Sequence, residues 1–162
     1  MFVRNEIRKD ILYFYLPWVT VLCIEMLFFT DDFVRQQQGL FGFQVESIIG
    51  LALSIIGFAL LIVGQLTLFQ NYSSFLVIHK DHRLITHGIY RFTRNPMYLG
   101  VLMFFIGWPV YAASLYGFLT SLVLIPIFLN RVRMEEKMLA DYFQDSFRNY
   151  KKTTKRLIPF IY

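Results

Sequence analysis

The chain of 162 residues is 56% hydrophobic, 19% aromatic and only 17% charged, with a mean hydropathy of +0.49 and a formal net charge of +5. A water-soluble domain of this size carries charge on roughly a quarter of its residues, so the composition excludes an ordinary solvated surface. The single cysteine, Cys23, excludes a disulfide framework or a Cys-rich metal site, and the basic balance reads as charge flanking apolar spans rather than as a nucleic-acid footprint.

In chain order, residues 11–30 form the first apolar run, interrupted by one charge, Glu25. The basic leader before it resembles a signal peptide, but the apolar run is too long for one and lacks a small-residue cleavage site. Residues 48–69 form a second run with no charge. Each is long enough to cross a hydrocarbon core of about 30 Å, which takes about 20 helical residues. Residues 97–129 form a third uncharged run. At 1.5 Å per residue it would measure roughly 50 Å as one helix, too long for a single crossing. It is therefore expected to fold as a tight hairpin, 97–112 and 114–129, turning near Gly107, Trp108, Pro109 and Gly117.

The expected architecture is an all-α integral membrane protein with about four transmembrane helices, the last two a short hairpin. The whole chain, 1–162, forms one membrane-embedded domain with a loop at 70–96 and a tail at 130–162. Charge asymmetry orients it. Arg4, Arg8 and Lys9 precede the first span, Lys80, Arg83, Arg91 and Arg94 lie in the 70–96 loop, and the tail from Arg131 is rich in Lys and Arg, whereas the 31–47 loop has only Arg35 against Asp31, Asp32 and Glu46. Positive residues mark the cytosolic side, so both termini, the loop and the tail are expected there. Within the tail, Val132, Met138, Leu139, Tyr142, Phe143, Phe147 and Tyr150 recur at helical spacing between polar residues. That pattern predicts a C-terminal amphipathic helix against the membrane or the bundle.

Polar and special residues concentrate in His79–Gly100 (HKDHRLITHGIYRFTRNPMYLG) and in Asn130–Glu136 (NRVRMEE). By the charge count both clusters lie on one side of the membrane, where they can meet over one pocket. No GxGxxG follows a strand; Gly39 and Gly42 have neither the context nor the spacing for a dinucleotide fold. His79 and His87 read as loop histidines, and no metal site is expected. Arg131 and Glu135, four apart, share a helix face.

Gly88-Ile89-Tyr90, Arg94-Asn95-Pro96-Met97-Tyr98-Leu99-Gly100, Glu135-Glu136-x-x-Leu139-x-x-x-Phe143, Tyr150, Arg156 and Pro159 together resemble the isoprenylcysteine carboxyl methyltransferase and phospholipid methyltransferase family over roughly residues 50–162. The resemblance implies a polytopic enzyme that moves a methyl group from S-adenosylmethionine, releasing S-adenosylhomocysteine, to a lipid-like acceptor such as an isoprenylcysteine carboxylate or a phospholipid amine. It places His82, Arg83, Leu84, Ile85, Tyr90, Arg94, Asn95, Pro96, Met97 and Tyr98 around the cofactor with Glu135 closing the site. It also puts Arg131 toward the acceptor and leaves Glu136 as the nearest proton acceptor or as a partner of Arg94. Membrane lipids and the acceptor are the implied partners, with no nucleic acid. The chain departs from the family pattern at Asn95, where His is frequent, at Gln144, where Gly is frequent, and at Phe147, where Tyr is frequent.

Two other readings carry specific residues. Glu25 within a span suggests a small proton-coupled transporter, which would have no use for the Arg131–Glu136 cluster. The ending Arg156–Tyr162 also resembles that of NADPH-dependent membrane sterol reductases.

Overall fold

The computed structural model describes residues 45–68, 83–159 and 161, with single helical positions between residues 16 and 27. Glu25, His79, His82 and most of the expected first span lie outside the described residues. Four α-helices follow: α1 Val45–Leu68, α2 Pro96–Tyr111, α3 Leu115–Leu122 and α4 Leu124–Thr153, with a 3-10 turn at Gly88–Arg91 before α2.

Among the described residues the closest packing is between α1 and α2, and small residues make it possible. The buried face of α1 is Ser47, Gly50, Ser54, Gly57 and Gly64. A Cβ built on Gly50 would sit 2.2 Å from the Tyr111 backbone nitrogen, and one on Gly57 would sit 2.6 Å from both the Gly100 carbonyl oxygen and the Phe104 nitrogen. A Cβ on Gly64 would sit 2.7 Å from Met97 Cγ. Rising numbers on α1 meet falling numbers on α2, so the helices run antiparallel with backbones in contact. Large side chains point the other way: Ile48, Ile49, Ile55, Ile56, Phe58, Val63 and Leu66 are exposed. A soluble helix buries its large apolar residues and exposes small or polar ones. The inverse arrangement suits lipid, where close van der Waals packing of small residues drives helix association. Val45–Leu68 and the Leu115–Thr153 run are long and apolar enough to cross a membrane; α2 is shorter.

The chain turns after α2 at Ala112–Ser114; Gly107, Trp108 and Pro109, expected near the turn, lie inside α2, and Gly117 inside α3. Pro96 opens α2 at a position that needs no N–H. After Tyr111 the chain turns through Ala113, at a φ of 52°, and Ser114 caps α3 by accepting a hydrogen bond from the Gly117 N–H at 3.1 Å. The second arm differs from the expectation of one continuous span over 114–129. The chain breaks at Val123 instead, because the ring of Pro126 is incompatible with the carbonyl of Leu122 four residues earlier. Nothing interrupts the helix between Pro126 and Phe143, so α4 runs on into the tail.

Gln144 divides α4 with φ 45° and ψ −114°, a conformation that glycine adopts at no steric cost. The tail then returns: Leu157 packs into a core with Leu102, Leu124 and Phe128, edged by Tyr98, Leu99 and Phe105.

Two substitutions test this architecture by thermal unfolding in detergent. Gly50→Ala should destabilise by about 1–3 kcal/mol, because its methyl meets backbone that moves only if the helices separate. Gln144→Gly should raise Tm, relieving strain of about 1 kcal/mol.

Candidate active site

The two polar clusters meet. The 3-10 turn and the irregular residues after it carry Thr93, Arg94 and Asn95 to the start of α2, directly against the turn of α4 that bears Arg131, Glu135 and Glu136. Adjacent helical positions point about 100° apart, and the two glutamates accordingly have different surroundings.

Glu136 faces inward, its side chain 4% exposed, with Arg94 Nε donating to Oε1 at 2.8 Å and Arg156 Nε donating to Oε2 at 3.0 Å. Lys151 Nζ lies 3.8 Å from Oε2. Both oxygens are thus engaged by cations from segments distant in sequence. Glu135 is a quarter exposed; its Oε1 accepts from the Tyr98 hydroxyl and lies 3.3 Å from Arg131 Nε. Arg131 is 2% exposed. The Tyr98 ring stands edge-on to Phe128, centroids 5.8 Å apart, which fixes its hydroxyl toward α4.

Arg94 and Asn95 are also held by the returning tail. Arg94 donates its backbone N–H to the Lys155 carbonyl at 2.9 Å and Nη1 to the Thr154 carbonyl. Asn95 Nδ2 donates to the Arg156 carbonyl at 2.8 Å, and Thr93 Oγ1 donates to the Leu157 carbonyl at 2.7 Å. Tyr90 is buried, its hydroxyl 3.5 Å from the Gly64 carbonyl of α1 and its own carbonyl accepting from the Tyr150 hydroxyl. Burial holds the Tyr150 phenol well above the usual tyrosine range, keeping it a donor.

The structure therefore brings Arg94, Asn95, Tyr98, Arg131, Glu135 and Glu136 together and sets Pro96 and Met97 at the α1–α2 contact. Arg83, Leu84 and Ile85 lie in irregular backbone leading into the 3-10 turn, Arg83 exposed and the other two half-buried. His82 is outside the described residues. Sequence reasoning gave no role to Thr93, Thr154 or Lys151, and named Arg156 only as part of a motif. Carbonyl acceptors on a returning tail leave no trace in sequence.

The sequence model of the phospholipid methyltransferase family matches residues 45–146. The chain belongs to that family. Its methyltransferase relatives include the protein-S-isoprenylcysteine O-methyltransferase of Schizosaccharomyces pombe, 37% identical over 83 residues, 51% of this chain and 35% of that one. The probable protein-S-isoprenylcysteine O-methyltransferase of Oryza sativa subsp. indica is 32% identical over 118 residues, 71% of this chain and 62% of that one. Methanethiol S-methyltransferase 1 of Bradyrhizobium diazoefficiens is 38% identical over 77 residues, 48% of this chain and 26% of that one. Among solved structures, a eukaryotic intramembrane Ras methyltransferase, isoprenylcysteine carboxyl methyltransferase, superposes with a TM-score of 0.74 at 26% identity, over 89% of this chain and 52% of that one. The chain thus spans between about a quarter and three fifths of these relatives' lengths. Together with helices able to cross a bilayer, the likeness marks an integral membrane protein.

Glu136, with an arginine on each oxygen, is the buried carboxylate of this polar cluster. Glu136→Ala should cost about 3–5 kcal/mol, since it strands buried arginine charge. Glu135→Ala, at a partly exposed pair, should lower Tm far less. Thermal unfolding of both variants side by side measures the difference.

Proposed function

We propose that the chain transfers a methyl group from S-adenosylmethionine to a hydrophobic acceptor at the cytosolic ends of its helices. The observation that carries this reading is the assembly of Tyr98, Glu135 and Arg131: a partly exposed carboxylate, a buried guanidinium and an aromatic ring where the two polar clusters meet. The donor set fits a molecule bearing an ammonium, a carboxylate and a sulfonium. Glu135 pairs with the ammonium. The Tyr98 face, helped by Tyr90, suits the sulfonium through cation–π attraction of about 1 kcal/mol or more when desolvated. Arg83, Leu84, Ile85 and Asn95–Met97 line the remainder, with backbone N–H groups at the start of α2 available to the carboxylate.

When bound, the cofactor supplies an already activated methyl group, so the protein's work is alignment and exclusion of water. Arg131, buried on the same helix face as Glu135, orients the acceptor. Glu136, engaged by Arg94 and Arg156, supports a loop-orienting role over the proton-taking role that an ammonium acceptor would require. An acceptor that arrives as an anion, a carboxylate or a thiolate, suits this site best; the named relatives methylate isoprenylcysteine on oxygen and methanethiol on sulfur. The apolar outer faces of α1 and α3 support lateral entry of the acceptor from lipid. Four crossings with both termini in the cytosol, and the second half of α4 at the interface, complete the proposed topology.

Calorimetry of the detergent-purified protein should show binding of S-adenosylhomocysteine and none of NADPH; binding of NADPH alone overturns the assignment. Glu135→Gln loses a charge-assisted contact of about 1.5–3 kcal/mol, so S-adenosylhomocysteine affinity should fall by about 10- to 150-fold. A change under twofold would place the cofactor elsewhere.

A further inference from the structure

The segment Thr154–Leu157 belongs to no helix, yet it makes a dense set of specific contacts. It runs parallel to residues 93–95, pairing Thr93 with Lys155 as an isolated bridge. Its four consecutive carbonyls are all acceptors. Thr154 O receives Arg94 Nη1, Lys155 O the Arg94 N–H at 2.9 Å, Arg156 O the Asn95 Nδ2 at 2.8 Å, and Leu157 O the Thr93 hydroxyl at 2.7 Å. The Arg156 side chain reaches the buried carboxylate, Nε on Glu136 Oε2 at 3.0 Å. Leu157 anchors the far end in the apolar core beside Leu102, Leu124 and Phe128.

We infer that Thr154–Leu157 is a strap that positions the methyl-donor site, with Arg156 and Thr93 as its two fasteners. The inference rests on the methyltransferase reading above. The loop before α2 and the first turn of α2 are tied to a single turn of α4, Arg94 and Asn95 to Glu136 and Tyr98 to Glu135. Arg94 holds Glu136 through one oxygen only. Arg156 takes the other, so the carboxylate cannot rotate about its last bond without losing one arginine. That fixes the register between loop and helix, and with it the separation of Tyr98 and Glu135 from whatever they bind. The strap carbonyls close the outer side of the loop and share its donors with α4: Asn95 Nδ2 also lies 3.5 Å from Glu136 Oε1, and Arg94 Nη1 3.4 Å from the Lys151 carbonyl. None of the strap's groups needs to touch cofactor; they act through Glu136, Arg94 and Asn95, and Arg156 and Thr93 are positioning residues.

The test compares S-adenosylhomocysteine affinity of the full chain in detergent with that of Arg156→Gln, Arg156→Lys and Thr93→Val, alongside Tm and amide hydrogen exchange at residues 91–98. The strap predicts that Arg156→Gln weakens binding about tenfold and speeds exchange at the Arg94 amide. Arg156→Lys, which keeps a cation on Glu136, should recover most of the affinity. Thr93→Val, nearly isosteric, should weaken binding severalfold and carries the decision if Arg156→Gln does not fold. Lower Tm with unchanged affinity in these variants would make the segment merely structural and overturn the inference. Failure of the unsubstituted protein to bind S-adenosylhomocysteine would instead overturn the methyltransferase reading on which it rests.

Discussion

One buried carboxylate organises the functional end of this protein. Removing Glu136 from water is costly, and its attraction to a partner repays that cost only when the geometry is good and the remaining lone pairs are engaged. Arg94 and Arg156 on its two oxygens, with Lys151 nearby, meet that condition. The same requirement forces three segments separated by 42 and 20 residues in the chain to converge. A buried pair of this kind is weak evidence of net stability, but it is demanding about position. Position is what a site needs when its chemistry is alignment of two reactants.

The glycine seam between α1 and α2 supplies the platform. Backbone contact at Gly50 and Gly57, with the Met97 side chain seated on Gly64, fixes how far α2 projects beyond its neighbour, and the first residues of α2 are those that present Tyr98 to α4. Packing in the apolar interior therefore sets the height of the polar loop above it. The pairing of Tyr98 with Phe128 and the burial of Leu157 with Leu102 and Leu124 carry that constraint into α4 and the tail. Glu135, on the same turn as Glu136 but turned outward, is left partly exposed beside Arg131 and Tyr98.

Much of this was legible in the sequence because lipid imposes strong rules. Uncharged runs located α1 and α2 to within a few residues, and the excess of Lys and Arg near His79–Gly100 and after Asn130 placed the two clusters at one end, where they do meet. Of the residues the family resemblance named, Arg94, Asn95, Tyr98, Arg131, Glu135 and Glu136 lie together. Other features were legible but need a different eye: glycines at 50, 57 and 64, with Ser47 before them and Ser54 between the first two, mark a packing face by their size and not by polarity. Pro126 carries its own signal for the break at Val123, though uniform apolarity on both sides hides it from a hydropathy reading. The positive φ at Gln144 runs against the residue type, so nothing in that residue announces it. The strap was not legible at all, since its acceptors are backbone carbonyls available in every sequence.

The central claim is that one binding site for the methyl donor spans the start of α2 and the Arg131–Glu136 turn of α4. Hydrogen exchange of the detergent-solubilised protein, with and without S-adenosylhomocysteine, tests it directly, because a ligand held by both elements slows exchange in both. The account predicts ligand-induced protection within residues 83–98 and within 131–139 together, abolished in both by Glu135→Gln at a ligand concentration that saturates the unsubstituted protein. Protection confined to one of these segments, or appearing only elsewhere in the chain, would contradict it.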